Sequence, residues 1–160
     1  MNTDGFIELP DDLFESLLQI ELPDTVSKAG WYFDHDELIR AIREHGLKHP
    51  VKFRYQSGTY RSGTHYARYH TRDKQFWHRI TINQLLKAES ANETLWHELR
   101  HAIQSEKFAE DTGQPMNKFY SEGYKPAKGR WGASYMENTY ELDARAFASK
   151  NKHIKLIKEV

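Results

Sequence analysis

The chain has no cysteine in 160 residues. That excludes a disulfide framework and a cysteine-ligated zinc ribbon, so any zinc has to be held by His, Asp or Glu. It also lacks an apolar run long enough to span a bilayer, and no basic stretch followed by a hydrophobic one opens the N-terminus. These absences predict a cytoplasmic protein with no membrane partner. Net charge is missing too, since 23 Lys and Arg balance 23 Asp and Glu.

The balance hides a segregation along the chain. Residues 1–24 hold Asp4, Glu8, Asp11, Asp12, Glu15, Glu21 and Asp24 with no Lys or Arg. Residues 48–80 hold Lys48, Lys52, Arg54, Arg61, Arg68, Arg72, Lys74 and Arg79 against Asp73 alone. An acidic arm and a set of basic strands follow, paired with each other or simply solvated.

With 38% apolar content, the chain can bury one proper core. Residues 1–160 are therefore expected to form a single domain, with 1–30 as an acidic N-terminal arm and 107–133 as a long loop. Leu13-Phe14-Glu-Ser-Leu17-Leu18 reads as a short helical piece after Pro10-Asp11-Asp12. Asp34-His35-Asp36 opens an amphipathic helix over Glu37 to Arg43 that stops at Gly46. From Val51 the period changes to two. Residues 51–56, 65–70 and 75–83 alternate, separated by the turn signals Ser57-Gly58 and Ser62-Gly63-Thr64, which predicts three or four strands of an antiparallel sheet. Phe76, His78, Ile80 and Ile82 share one face of the last strand.

His97-Glu98-Leu99-Arg100-His101 carries the chemistry. On a helix, histidines four apart lie on one face and can reach a single metal ion, with Glu98 beside them as a base. Ser90-Ala-Asn-Glu93 has the form of a capping box for a helix reaching about Phe108. Leu95, Leu99, Ala102 and Ile103 then form its core face and leave His97, Glu98 and His101 on a flank at a cleft. A surface helix with two satisfied histidines is the plainer alternative.

Two histidines and a water leave a tetrahedral zinc one protein ligand short. Glu141 is the best candidate, because Ala144 and Ala148 follow it on the same helical face and allow close approach to the motif helix. Glu137, one turn earlier, and Asp143, which points elsewhere, are the competitors. Ser134 to Glu137 and Asn138 to Glu141 both read as helix starts. In the loop, Phe119, Tyr120, Tyr124 and Trp131 suit a functional wall. His35, His45, His49, His65, His70, His78 and His153 lack metal-binding spacing and are read as surface or strand residues.

On His97-Glu98-Leu-Arg-His101 and Asn138-Thr-Tyr140-Glu141-Leu-Asp143-Ala144-Arg-Ala-Phe147-Ala148, about a third of the chain resembles the gluzincin zinc metallopeptidases, especially small phage-like and bacterial members of the ImmA/IrrE type. The resemblance implies a minimal zincin-like α+β fold. In it a small antiparallel or mixed sheet packs on the motif helix and on a second, ligand-bearing helix. It also implies one zinc per chain held by His97, His101 and Glu141, with Glu98 as the base that activates water for peptide hydrolysis. The 75–83 strand would lie at the cleft edge and pair with an extended protein or peptide substrate. Arg145 departs from the acidic or amide residue often found four after the glutamate ligand. Tyr120, Tyr124, Tyr135 and Arg145 are the candidate oxyanion donors.

Two other classes stay open. Basic strands over 48–80, interleaved with Tyr55, Tyr60, Tyr66, Tyr69 and Trp77, suit a nucleic-acid partner, including a protease recruited to DNA. A zinc that merely clamps two helices would make a non-catalytic interaction domain.

Overall fold

The computed structural model describes residues 19–57, 61–124 and 138–160. The expected helix at 13–18, most of the acidic arm, the helix start at 134–137 and loop residues 125–133 lie outside them. Among the described residues the fold is α+β. Its strands are β1 (Ile20–Glu21), β2 (Trp31–Phe33), β3 (Val51–Gln56), β4 (Gly63–His70), β5 (Gln75–Asn83) and β6 (Ile157–Glu159). Its α-helices are α1 (His35–Glu44), α2 (Ala88–Thr112) and α3 (Thr139–Asn151).

The main sheet is mixed, in the order β1-β3-β5-β4, with β3 parallel to both β1 and β5 and only β4–β5 antiparallel. Of the antiparallel and mixed alternatives, the sheet is the mixed one. β5 enters between β3 and β4, so the Ser57-Gly58 signal does not join neighbouring strands. This order corrects the cleft edge: β5 is paired on both sides, and the edge strand is β4. In β5, His78, Ile80 and Ile82 are buried as the period predicted, and Trp77 on the opposite face is buried as well.

α1 begins where Asp34 accepts a hydrogen bond from Glu37 N and ends before Gly46, whose φ of +72° is the left-handed conformation glycine tolerates. Helix α2 departs from expectation at both ends. It starts at Ala88 after Lys87, which makes no side-chain cap, so Ser90 lies inside the first turn. It runs on to Thr112 and closes at Gly113, with φ +74°. The loop expected from Lys107 therefore begins only after 112. A 3₁₀ turn, Met116–Lys118, and a π turn, Phe119–Gly123, then fold it back beneath α2.

Leu95, Leu99 and Ala102 of α2 are buried against Val51, Phe53, Ile80 and Ile82 of the sheet, and Ile103 is partly buried at the margin. Each full burial of a large apolar side chain contributes about 1.5–3 kcal/mol. Buried Asn92 donates to the carbonyls of Lys152 and Ile154 and accepts from Leu156 N. The expected packed tail is thus tied to α2. It continues as β6, which pairs antiparallel with β2 in a second, two-stranded sheet.

Candidate metal centre

Helix α2 holds the site rigidly because its opposite face is locked in the core. Successive turns bring His97 and His101 together, with ring centroids 4.9 Å apart. Helix α3 supplies the third group. Its N-cap, Asn138, accepts from the backbone N–H of Tyr140 (2.9 Å) and Glu141 (3.2 Å), which sets the helix start and places Glu141 in the first turn. The same side chain donates to Tyr124 O at 2.6 Å, tying the segment after the π turn to this point. Ala144 and Ala148 are buried between α3 and α2, where a larger side chain would hold the helices apart.

Glu141 is 2% exposed. Its Oε1 lies 2.7 Å from His97 Nε2, and its Oε2 lies 3.2 Å from His101 Nε2 and accepts from the Tyr124 hydroxyl at 2.6 Å. Burial pushes this carboxyl up, but hydrogen bonds from His101, His97 and Tyr124 outweigh it and hold the group far below the usual carboxylate range. For His101, burial acts downwards, and contacts with Glu141, Glu98 and Gln104 reverse it to a net rise.

One ligand atom from each of His97, His101 and Glu141 lies within 4.8 Å of the others, so these three can hold a metal ion. A buried carboxylate on which two imidazole nitrogens converge is a donor set that fits such an ion, which would replace the ring protons now directed at Glu141. His101 is also oriented from behind. Its Nδ1 lies 2.7 Å from Gln104 Oε1, and Gln104 Nε2 donates to Tyr140 O at 3.0 Å and Asp143 Oδ2 at 2.8 Å. Asp143 is fixed in turn by Arg100, at 2.7 and 3.3 Å. That hydrogen bond lowers the Asp143 pKa. The support expected four residues after Glu141 thus comes from Gln104 and Asp143, while Arg145 lines the cleft.

Glu98 is buried at the cleft wall. Burial raises its pKa and the Glu141 charge adds to this, while His101, His97 and Arg61 pull the other way. The cleft combines a larger cavity of about 860 Å³, reached by Arg61, Thr94 and Arg145, with an inner one of about 300 Å³ walled by His65, Tyr120 and Tyr124. His97, Glu98 and Glu141 line both. The aromatic wall expected of the loop is present in Tyr120 and Tyr124; Trp131, Tyr135 and Glu137 lie outside the described residues.

Sequence reasoning missed four contributors. Gln104 follows His101 by three on the same helical face, a spacing that was legible. His65, His78 and Glu106 were not: they form a hydrogen-bonded chain with Tyr120, linked at 2.7, 2.9 and 2.8 Å from the tyrosine inwards, with the two histidines buried in its middle. His65 and His78 are strand residues as expected, yet both are buried and neither faces solvent. Of the aromatics on the basic strands, Tyr66 and Tyr69 are exposed, whereas Trp77 is buried and Tyr55 donates its hydroxyl to Thr25 O. No helix among the described residues is long and apolar enough to cross a membrane.

The described residues form an α+β fold with a His-His-Glu group that could hold a metal ion at the foot of a cleft. No protein-family model, no curated protein and no solved structure matches the chain.

Proposed function

We propose that the protein is a zinc-dependent endopeptidase, with His97, His101 and Glu141 as the ligands and Glu98 as the general base. The observation that carries this reading is the position of Glu98. It is a buried carboxylate beside the ligand group, lining both parts of the cleft, with its pKa raised by burial towards the working range of an acid-base catalyst. A structural clamp has no use for such a group.

Two imidazoles and a carboxylate suit zinc. When bound, zinc supplies the Lewis acidity that brings the pKa of water near neutrality and polarises a carbonyl. Glu98 takes the proton of the attacking water and returns it to the leaving nitrogen. Gln104 and Asp143 hold the His101 ring in place during this. Among the described residues β4 is an edge strand of the main sheet, beside the cleft, and an extended peptide added there would run past Glu98.

The test is Glu98→Gln, which keeps size and hydrogen bonding but accepts no proton. The expected result is unchanged zinc content with hydrolysis of an unfolded protein reduced at least about a hundredfold. Equal cleavage by wild type and variant ends the proposal. Glu141→Ala should lose the zinc.

A second reading, recruitment of the same enzyme to single-stranded nucleic acid, is favoured by one feature. The Arg79 guanidinium lies 5.4 Å over the ring of exposed Tyr66 on the outer face of β4 and β5. A steeply salt-dependent affinity for single-stranded DNA would support it, and no measurable binding at low salt would remove it.

A further inference from the structure

The chain Tyr120–His65–His78–Glu106 runs from the cleft along the α2-facing side of the main sheet, from β4 across β5, to the segment that leads into β3. Its far end is fixed. Glu106 Oε1 accepts from Lys48 N at 2.9 Å, and its Oε2 accepts from His49 N at 3.1 Å as well as meeting His78 Nε2 at 2.8 Å. With a backbone N–H on each oxygen, and with the hydrogen bond from His78 outweighing burial to hold its pKa below the ordinary value, Glu106 is the ionised acceptor, so His78 Nε2 carries a proton and donates it. His78 Nδ1 faces His65 Nε2 at 2.9 Å, a contact that holds one proton. In the neutral form each ring carries one proton. His78 has then placed its proton on Nε2, so Nδ1 is bare and His65 Nε2 must donate. That leaves His65 Nδ1 bare, and at 2.7 Å it can only accept from the Tyr120 hydroxyl.

We propose that Glu106, His78 and His65 are positioning residues that direct the Tyr120 hydroxyl proton away from the cleft. Tyr120 Oη therefore meets a bound molecule as a hydrogen-bond acceptor. The partner it selects is an N–H donor, and under the peptidase reading, on which this clause rests, that donor is a substrate main-chain or leaving-amine N–H. Tyr120 is thereby removed from the candidate oxyanion donors. Of the other candidates, Tyr124 already donates its hydroxyl to Glu141 and Arg145 lines the larger cavity; Arg61, which the sequence did not single out, lines both parts of the cleft as a further guanidinium donor.

No bulk reason accounts for this chain. His78 is fully buried and His65 nearly so. Burial holds the His65 pKa well below its ordinary value, and the neighbouring His78 and His101 add to this. Two apolar residues would fill the same space without any need for hydrogen-bond partners. An ordered run of protons has a use only where it ends on a group that touches something else, and Tyr120 lines the inner cavity beside His97, Glu98 and His101.

The test is a long-range ¹H–¹⁵N correlation spectrum of the imidazoles of the full chain at pH 8, first without metal, with signals assigned through His65→Gln and His78→Gln. Both rings should appear as the neutral tautomer protonated on Nε2. A His65 ring protonated on Nδ1 overturns the proposal, because Tyr120 would then receive a proton instead of giving one. Glu106→Gln should abolish the single-tautomer signature of His65, and a signature unchanged in that variant equally overturns it. In the zinc-loaded protein, kcat/KM for an unfolded protein substrate should fall about tenfold in Tyr120→Phe. Glu106→Gln should add little in that background; independent, multiplying losses would show that Glu106 does not act through Tyr120. Absence of any hydrolysis would defeat the peptidase reading while leaving the tautomer result to stand or fall alone.

Discussion

His101 Nδ1 lies 2.7 Å from Oε1 of Gln104, one turn further along the same helix. The amide of Gln104 has no choice of orientation, because its nitrogen already serves Tyr140 O and Asp143 Oδ2 and its oxygen must face the ring. His101 therefore keeps its proton on Nδ1 and offers Nε2 to a metal. Gln104→Leu retains the volume and removes the acceptor. Zinc affinity, measured by competition with a chromophoric chelator, is expected to weaken about 10- to 100-fold with the circular dichroism spectrum unchanged. Wild-type affinity in the variant would mean that the ring is held by something else.

Helix α3 can present Glu141 to α2 only because the contact between the helices is made by Ala144 and Ala148, both buried. Ala144→Leu forces extra carbons into a packed contact and should cost about 1–3 kcal/mol. For a chain of this size that is a fall in Tm of about 2–4 °C per kcal/mol. Because the strain moves α3 away from α2, zinc should be lost more readily than from a variant equally destabilised elsewhere, such as Ile42→Val. Equal zinc retention in the two would detach the alanines from the site.

Much of this arrangement was legible because it is periodic or local. The apolar stripe of α2 and the spacing of His97 and His101 require only a helix, and Asn138 marks the start of α3 through its own side chain. Strand limits followed from alternation at residues 75–83. What the letters did not carry was pairing between distant segments. Nothing local says that β5 enters between β3 and β4, so the edge was assigned to the wrong strand. A buried histidine also reads like a surface one, and His65 and His78 gain their meaning only when the sheet brings them to Glu106 on α2. The Ser90 capping box failed for a different reason: the chain leaving β5 is already turned by Asn83, whose side chain accepts from Leu85 N, and the helix begins before Ser90 is reached.

The same burial makes a prediction about acid stability. His65 is held well below the ordinary value of 6.5 by burial and by its neighbours His78 and His101. A histidine with a depressed folded pKa takes up its proton more readily in the unfolded chain. Its contribution to stability is therefore fully present above pH 6.5 and is lost as pH falls from there through the folded pKa. The slope attributable to His65 is at most about 1.4 kcal/mol per pH unit. His45 and His49 are also lowered by burial and act in the same direction, whereas His101 is raised and opposes them. The clean measurement is a difference: urea unfolding of metal-free wild type and His65→Gln between pH 7.5 and 5. Wild type should lose stability more steeply below pH 6.5, and parallel curves would show that His65 is not held neutral.

Gly63 marks a close approach of β4 to α2, and it is needed for space. A Cβ built there would lie 2.7 Å from Thr94 Cγ2, 3.0 Å from Thr81 O and 3.2 Å from Ile82 Cδ1. The carbonyl belongs to β5, the antiparallel neighbour of β4, and cannot retreat without breaking the ladder. Thr94 is β-branched and stiff at χ1, so it yields little. It also sits one turn before Glu98 on α2, and pressure at Gly63 is therefore transmitted to the cleft wall. Gly63→Ala is expected to destabilise by about 1–3 kcal/mol, the cost of overpacking a filled contact. Thr94→Ser removes the nearest carbon, so the double variant should recover part of the loss, the part due to Thr81 O remaining. Zinc content should be normal throughout, since none of the three ligands moves with β4. Under the peptidase reading kcat/KM should fall in Gly63→Ala and rise again with Thr94→Ser, because a displaced β4 no longer presents a substrate strand in register with Glu98. An alanine variant with wild-type urea stability would show that β4 and α2 are not in contact here, and the edge-strand account of substrate binding would go with it.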